Sequence, residues 1–324
     1  MYFSLLLAAC DDESVDRAPI PPPSFEVVHG WPDLPDGELL GQASGVGVQL
    51  DGDVMVFRRA DREWGSGALS TEPIAAPTVM RFDAESGALV SAVGAGAFAM
   101  PHGLTVAPDG HLWLTDVALH QVFELDEAGN VIRTFGERGV FGADEAHFNM
   151  PTDVAVAGDG TFWVADGYGN GRVLKFAPDG TLIAVWGGIG TEPGKFLVPH
   201  GIALDPDGNV YVADRGNARV QAFTPDGELR GVWQSEALGR PWSIAFDPDG
   251  LAYVVDGGDQ PQTGPDRARI VVAGPDGAPI TSFATFGNQD GELIWPHDIA
   301  IGLDGSVYVV EVGAGRRCQK FERF

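Results

Sequence analysis

The stretch MPHGLTVAPDGHLWLTDVALHQVFELDEAGNVIRTFG, from Met100 to Gly136, holds the grammar of the whole chain. Its apolar segment Gly103 to Ala107 runs into Pro108-Asp109-Gly110, a strong hairpin signal. A second strand reads from His111 to Asp116 and a third from Val122 to Asp126, before another turn and a fourth strand. The same order returns in MPTDVAVAGDGTFWVADGYGNGRVLKFAPDGTLIAVWG from Met150 and in VPHGIALDPDGNVYVADRGNARVQAFTPDGELRGVWQ from Val198. It begins again at Arg240 (RPWSIAFDPDG) and Trp295 (WPHDIAIGLDG), and a divergent first copy starts near Gln42 (QASGVGVQLDGDVMVF) and closes with VMRFDAESGALVSAVG. Six copies at a period of roughly 40 to 50 residues, each a four-stranded antiparallel unit, predict an all-β, six-bladed β-propeller around a central channel.

The repeat resembles the NHL class of propeller. Composition agrees: 45 Gly and 23 Pro among 324 residues suit many short strands and tight turns, and eight Trp with 18 Phe argue against disorder. The last copy ends at Phe324 after three strands, so its open edge needs a donor. Phe25 to His29 (FEVVH), just before the first copy, is expected to supply the missing strand and close the ring.

A formal charge of −26 repels phosphate backbones and anionic headgroups, which excludes nucleic acid as a partner. Cys10 and Cys318 are the two cysteines, too few for a disulfide framework. Residues 1 to 10, MYFSLLLAAC, resemble a bacterial lipoprotein signal whose lipobox Leu7-Ala8-Ala9-Cys10 ends in the acylated cysteine. Residues 11 to 24 are acidic and then Pro-rich, as a tether is, and residues 25 to 324 form the propeller. The expectation is an exported monomer, periplasmic or on the cell surface, touching a membrane only through a lipid on Cys10.

Aligned on the start of each innermost strand, the six copies place Ser44, His102, Thr152, His200, Trp242 and His297 at one position. Histidine thus occupies copies two, four and six, 98 and 97 residues apart. Alternate blades of a six-fold ring stand about 120° from one another, so the three side chains should meet on the axis. Three imidazoles with an open position form the donor set of a catalytic zinc site. The preceding Pro101, Pro199 and Pro296 fix their own φ and should hold each histidine stiffly. The remaining histidines, His29, His111, His120 and His147, share no such symmetry and are read as structural or exposed. The acid ending each second strand (Asp116, Asp166, Asp214, Asp256, Glu311) recurs in nearly every copy, and is therefore read as capping turn amides within its own blade.

The runs MPHGLTVAPDGHLWLTDVALHQVFEL, HFNMPTDVAV, VADGYGNGRV, VPHGIAL, VADRGNARVQAF and WPHDIAI together resemble the peptidyl-α-hydroxyglycine α-amidating lyases, from about Gly30 to the C-terminus. The resemblance implies a catalytic zinc on His102, His200 and His297, an active-site tyrosine at Tyr168, and arginines at Arg59 and Arg215 that hold a substrate carboxylate. It also implies a structural calcium on Asp298 with the main-chain carbonyls of Val46 and Leu104. The implied reaction splits the N–Cα bond of a carbinolamide into an amide and glyoxylate, with a peptide or small molecule as substrate and no redox step. The chain departs from the family at Gly169, where the animal enzymes have a cysteine, and at Trp295, where a methionine stands before the third Pro-His and the indole should narrow the pocket. It also has no room for the copper monooxygenase that makes the lyase's substrate in animals. The competing reading is a non-catalytic NHL propeller with a structural metal, whose rim loops Glu137 to Asn149 and Gly258 to Arg267 grip a peptide or glycan. A lactone hydrolase is a third, though such sites use carboxylates and calcium where this axis offers imidazoles.

Overall fold

A computed structural model describes residues 22–65, 67–259 and 267–324. The signal segment, most of the tether and the tip of the loop from Gly258 to Arg267 lie outside the described residues. Six four-stranded antiparallel sheets follow one another around a ring, and the first five run outward in chain order. The innermost strands are Ala43–Val48, Pro101–Val106, Asp153–Val156, Pro199–Leu204, Pro241–Phe246 and Pro296–Ile301. This is the six-bladed propeller that the repeat predicts. No helix among the described residues is long and apolar enough to cross a membrane.

Strand Phe25–Val27 pairs antiparallel with Cys318–Arg323, Phe25 opposite Arg323 and Val27 opposite Phe321. The sixth blade therefore takes its outermost strand from the beginning of the chain, as expected. Phe25 anchors the closure by stacking on Phe283 at 4.2 Å and meeting Tyr253 edge-on at 6.0 Å. Apolar side chains from facing sheets gather into six clusters, one at each interface between neighbouring blades. Each blade buries both faces in its inner strands and leaves only its outer strand exposed, as Leu112–Asp116 and Val131–Phe135 illustrate in blade two.

Near the axis the blades crowd, and the residue after the aligned position is glycine in three of them. A Cβ on Gly103 would lie 2.5 Å from the Thr152 carbonyl oxygen, one on Gly201 2.8 Å from Ser243 Cα, and one on Gly45 2.6 Å from the Leu104 nitrogen. Only a residue without a side chain lets neighbouring inner strands approach this closely. At the same point the pairing register shifts, between Pro101 and Leu104, Pro199 and Gly201, and Pro296 and Asp298. Such bulges turn a side chain out of its regular alternation, here toward the channel.

Candidate metal centre and active site

His102, His200 and His297 converge as the alternate-blade spacing predicts. Their ring centroids are 4.6 to 4.7 Å apart in edge-to-face pairs, and one ring nitrogen from each falls within 4.8 Å of the others. Each Nδ1 sits 2.7 Å from a main-chain carbonyl at the same position of the next blade, namely that of Thr152, Trp242 or Ser44. A carbonyl only accepts, so each Nδ1 carries the proton and each Nε2 presents a bare lone pair. Burial holds all three imidazoles well below their ordinary pKa. The charge of Arg59 adds to this at His102, that of Arg215 at His200, and His102 and then Arg59 at His297.

Tyr168 follows strand Phe162–Asp166 in the turn Asp-Gly-Tyr-Gly-Asn. Its hydroxyl lies 3.0 Å from His102 Nε2 and 3.1 Å from His200 Nε2. One phenolic proton satisfies at most one of these lone pairs. Neutral donors in such excess, buried and aimed at a shared point, are the chemistry of a cation site. The turn is seated by its glycines: a Cβ on Gly167 would come within 2.0 Å of the Pro199 carbonyl oxygen, and one on Gly169 within 2.0 Å of Asn149 Cγ. At the position where the animal enzymes carry a cysteine, this chain thus has close contact with Asn149.

The two arginines flank the same hydroxyl. Arg215 donates from Nη1 to Tyr168 Oη at 3.4 Å, and its guanidinium lies over the rings of Tyr168 and Trp242 at 5.2 and 4.5 Å. Arg59 is buried, with Nε donating to the Pro101 carbonyl at 2.9 Å and Nη1 to Gln42 Oε1 at 3.2 Å. Its Nη2 has no hydrogen-bond partner among the described residues. Burial lowers the Arg59 pKa to about 10, which leaves the group a cation at neutral pH. An orphaned cationic donor in a buried site calls for an anion. These groups open into a cavity of about 340 Å³, bounded also by Trp64, Trp242 and Trp295. Trp295 forms part of its wall, as the sequence suggests. A larger groove of about 1010 Å³ lies beside Trp31, Leu39 and Arg58, away from the histidines, and its Arg58 is already paired with Glu38.

Below the histidines, Asp298 accepts hydrogen bonds from the Val46 N–H at 3.0 Å and from the Ser243 hydroxyl at 2.6 Å. Asp153 repeats this half a ring away, accepting from Ile202 N–H at 3.0 Å and Val154 N–H at 2.9 Å. Burial raises the pKa of both carboxylates, and the charge of Asp298 raises that of Asp153 further. Sequence reading missed Asp153. Its signal was present, since the residue after the aligned position is Gly, Gly, Asp, Gly, Ser and Asp through blades one to six, with the acids in opposite blades.

The repeated acids at the second-strand ends serve their own blades. Asp116 accepts from the amides of Ala99, Met100, Ala118 and Leu119, and Asp214 from Leu197 N–H and Arg219 Nε. The other histidines stay away from the trio: His29 pairs with Asp290, His111 with Glu124 and His147 with Asp144, while His120 accepts the Met150 N–H. Arg172 pins the rim loop after Glu137 by donating to the carbonyls of Asp144 and His147.

Comparison with known proteins finds relatives that match part of the chain. The NHL repeat model matches residues 98–125, 148–176 and 196–223. The chain is 36% identical over 214 residues to peptidyl-alpha-hydroxyglycine alpha-amidating lyase 2 of Drosophila melanogaster, covering 61% of this chain and 51% of that protein. It is 40% identical over 187 residues to the "Probable peptidyl-alpha-hydroxyglycine alpha-amidating lyase" of Caenorhabditis elegans, covering 54% and 53%. It is 37% identical over 194 residues to the peptidyl-glycine alpha-amidating monooxygenase of Mus musculus, covering 55% and 20%. The aligned region therefore spans a fifth to about half of these relatives. Among solved structures, a streptogramin B lyase superposes with a TM-score of 0.60 at 17% identity, covering 93% of this chain and 98% of that one. A gluconolactonase from Xanthomonas campestris gives 0.62 at 16%, covering 88% and 89%. At such identities the likeness is one of fold alone.

Proposed function

We propose that this NHL propeller, a homologue of the amidating lyases, is a zinc-dependent carbon–nitrogen lyase that converts a peptidyl-α-hydroxyglycine-type carbinolamide into an amide and glyoxylate. One observation carries the reading. Three tautomer-fixed imidazole lone pairs, the Tyr168 hydroxyl and the unpartnered Nη2 of Arg59 belong to a single axial site.

Zinc held by the three Nε2 atoms would act as a Lewis acid that lowers the pKa of the substrate hydroxyl. The protein does the rest. Arg59 and Arg215 hold the substrate carboxylate, Arg59 through the donor it leaves unused, which fixes the orientation of the reacting carbon. Tyr168, whose Oη lies within 3.1 Å of two of the three Nε2 atoms, is the general base that takes the hydroxyl proton. The O–H electron pair becomes the second bond of the new carbonyl, the C–N bond breaks, and its pair leaves on the amide nitrogen. Tyr168 returns the proton to that nitrogen, so the primary amide and glyoxylate together contain every atom of the substrate.

A calcium ion on Asp298 and the carbonyls of Val46 and Leu104 is proposed as a structural partner. It is supported by two buried carboxylates, Asp153 and Asp298, that repel one another below the histidines.

The test is direct. Metal-replete protein incubated with α-hydroxyhippurate should release glyoxylate and benzamide in equal amounts, and a metal-replete, folded protein that releases neither would overturn the assignment.

A further inference from the structure

The proposed chemistry fixes two substituents of the reacting carbon, the hydroxyl at the histidines and the carboxylate at the arginines. The third arm, the amide nitrogen with its acyl group, must occupy the rest of the axial cavity. That remainder is aromatic, walled by Trp64, Trp242 and Trp295, and among the described residues no carboxylate lines it.

Two of these rings are set rigidly. Trp242 packs on Gly257, where a Cβ would lie 2.6 Å from the indole, and its N–H donates to the Gly258 carbonyl at 3.2 Å. Trp295 packs on Gly313, whose φ of +59° and projected Cβ at 2.7 Å from the ring exclude any other residue without movement. The two indoles stand 5.9 Å apart, tilted by 40°. Trp64 is 39% exposed and stands 5.3 Å from the Arg59 guanidinium and 5.2 Å from the Tyr168 ring, so it forms the outer lip.

A flat apolar group entering this space meets indole faces and edges at the spacing that aromatic pairs prefer. A charged group there would lose water and, among the described residues, meet no charged side chain besides the arginines already assigned to the substrate carboxylate. Resting on the lyase reading, we infer that Trp64 and Trp295 are specificity-determining residues, and that they select a carbinolamide whose acyl portion places an aromatic group beside the scissile bond.

The experiment compares N-benzoyl- and N-acetyl-α-hydroxyglycine by glyoxylate release. In parallel, the unreactive benzoylglycine and acetylglycine are compared by quenching of tryptophan fluorescence. The benzoyl substrate should show a kcat/KM about tenfold higher, and benzoylglycine should bind about tenfold more tightly, a difference of about 1.4 kcal/mol. Trp295→Ala should compress both ratios below about threefold. Equal kcat/KM for the two substrates in the wild-type protein overturns the selectivity and leaves the lyase reading standing. No glyoxylate from either substrate, with benzoylglycine still bound preferentially, overturns the lyase reading and keeps the aromatic subsite. No turnover and no preference in binding overturns both.

Discussion

The imidazole of His297 donates its Nδ1 proton to the main-chain carbonyl of Ser44 across 2.7 Å of space and 253 residues of sequence. This bond joins the last blade to the first at the axis, while strand Phe25–Val27 joins them at the rim. Ring closure and the tautomer of a candidate metal ligand are therefore one structural fact. The same bond made by His102 and His200 leaves three lone pairs facing inward, and the expectations below follow from that arrangement.

Replacing Tyr168 by Phe removes the proposed base without emptying the site. Glyoxylate release should fall by about 10²- to 10⁴-fold, while bound metal and melting temperature stay near wild type. Activity that persists at full strength would leave Tyr168 without a catalytic role. Turnover in neither protein, with metal and fold intact, favours the binding-propeller reading instead.

Metal analysis of the purified chain should find close to one equivalent of zinc. His102→Ala, which deletes one of three donors, should lower that stoichiometry sharply and abolish turnover. A variant that retains zinc at wild-type affinity would place the ion elsewhere.

Calcium should raise the melting temperature of the wild-type protein. It should raise that of Asp298→Asn little or not at all, because the substituted amide keeps the side-chain shape and loses the charge. Equal shifts in both proteins would remove Asp298 from the ion's coordination.

The three histidines make the metal-free protein acid-sensitive in a way whose sign is fixed. Their pKa values are held well below the ordinary 6.5, so the unfolded chain takes up protons first as pH falls. Stability is complete above pH 6.5 and is lost below it, by up to about 1.4 kcal/mol per pH unit for each histidine. The buried carboxylates Asp153 and Asp298, raised in the fold, act in the opposite direction. The informative measurement is therefore the difference between wild type and His102→Asn in chelator-treated protein. The variant should lose less stability on acidification, and an unchanged slope would contradict the assigned neutral state.

Deleting residues 25 to 30 strips the sixth blade of its outer strand and exposes Phe283 and Tyr253, against which Phe25 packs. A loss of at least about 3 kcal/mol, roughly 5–10 °C in melting temperature, is expected. An unchanged thermal transition would show that the strand is dispensable.

The sequence alone determined the blade count, the identity of the closing strand and the positions of the three converging histidines. Each is encoded as a repeat, and equivalent positions of a ring become equivalent in space once the number of copies is known. Trp295 and Gly169 were legible only as departures from a resemblance; the wall that one builds and the contact with Asn149 that the other permits came from the packing. Only the tertiary structure decided which imidazole nitrogen holds the proton, that Arg59 keeps a donor unused, and that the Asp153 carboxylate accepts the Ile202 N–H of the next blade. These depend on contacts between blades dozens to hundreds of residues apart, where a side chain's partner is set by the bulge of one strand and the carbonyl of the next rather than by any local pattern.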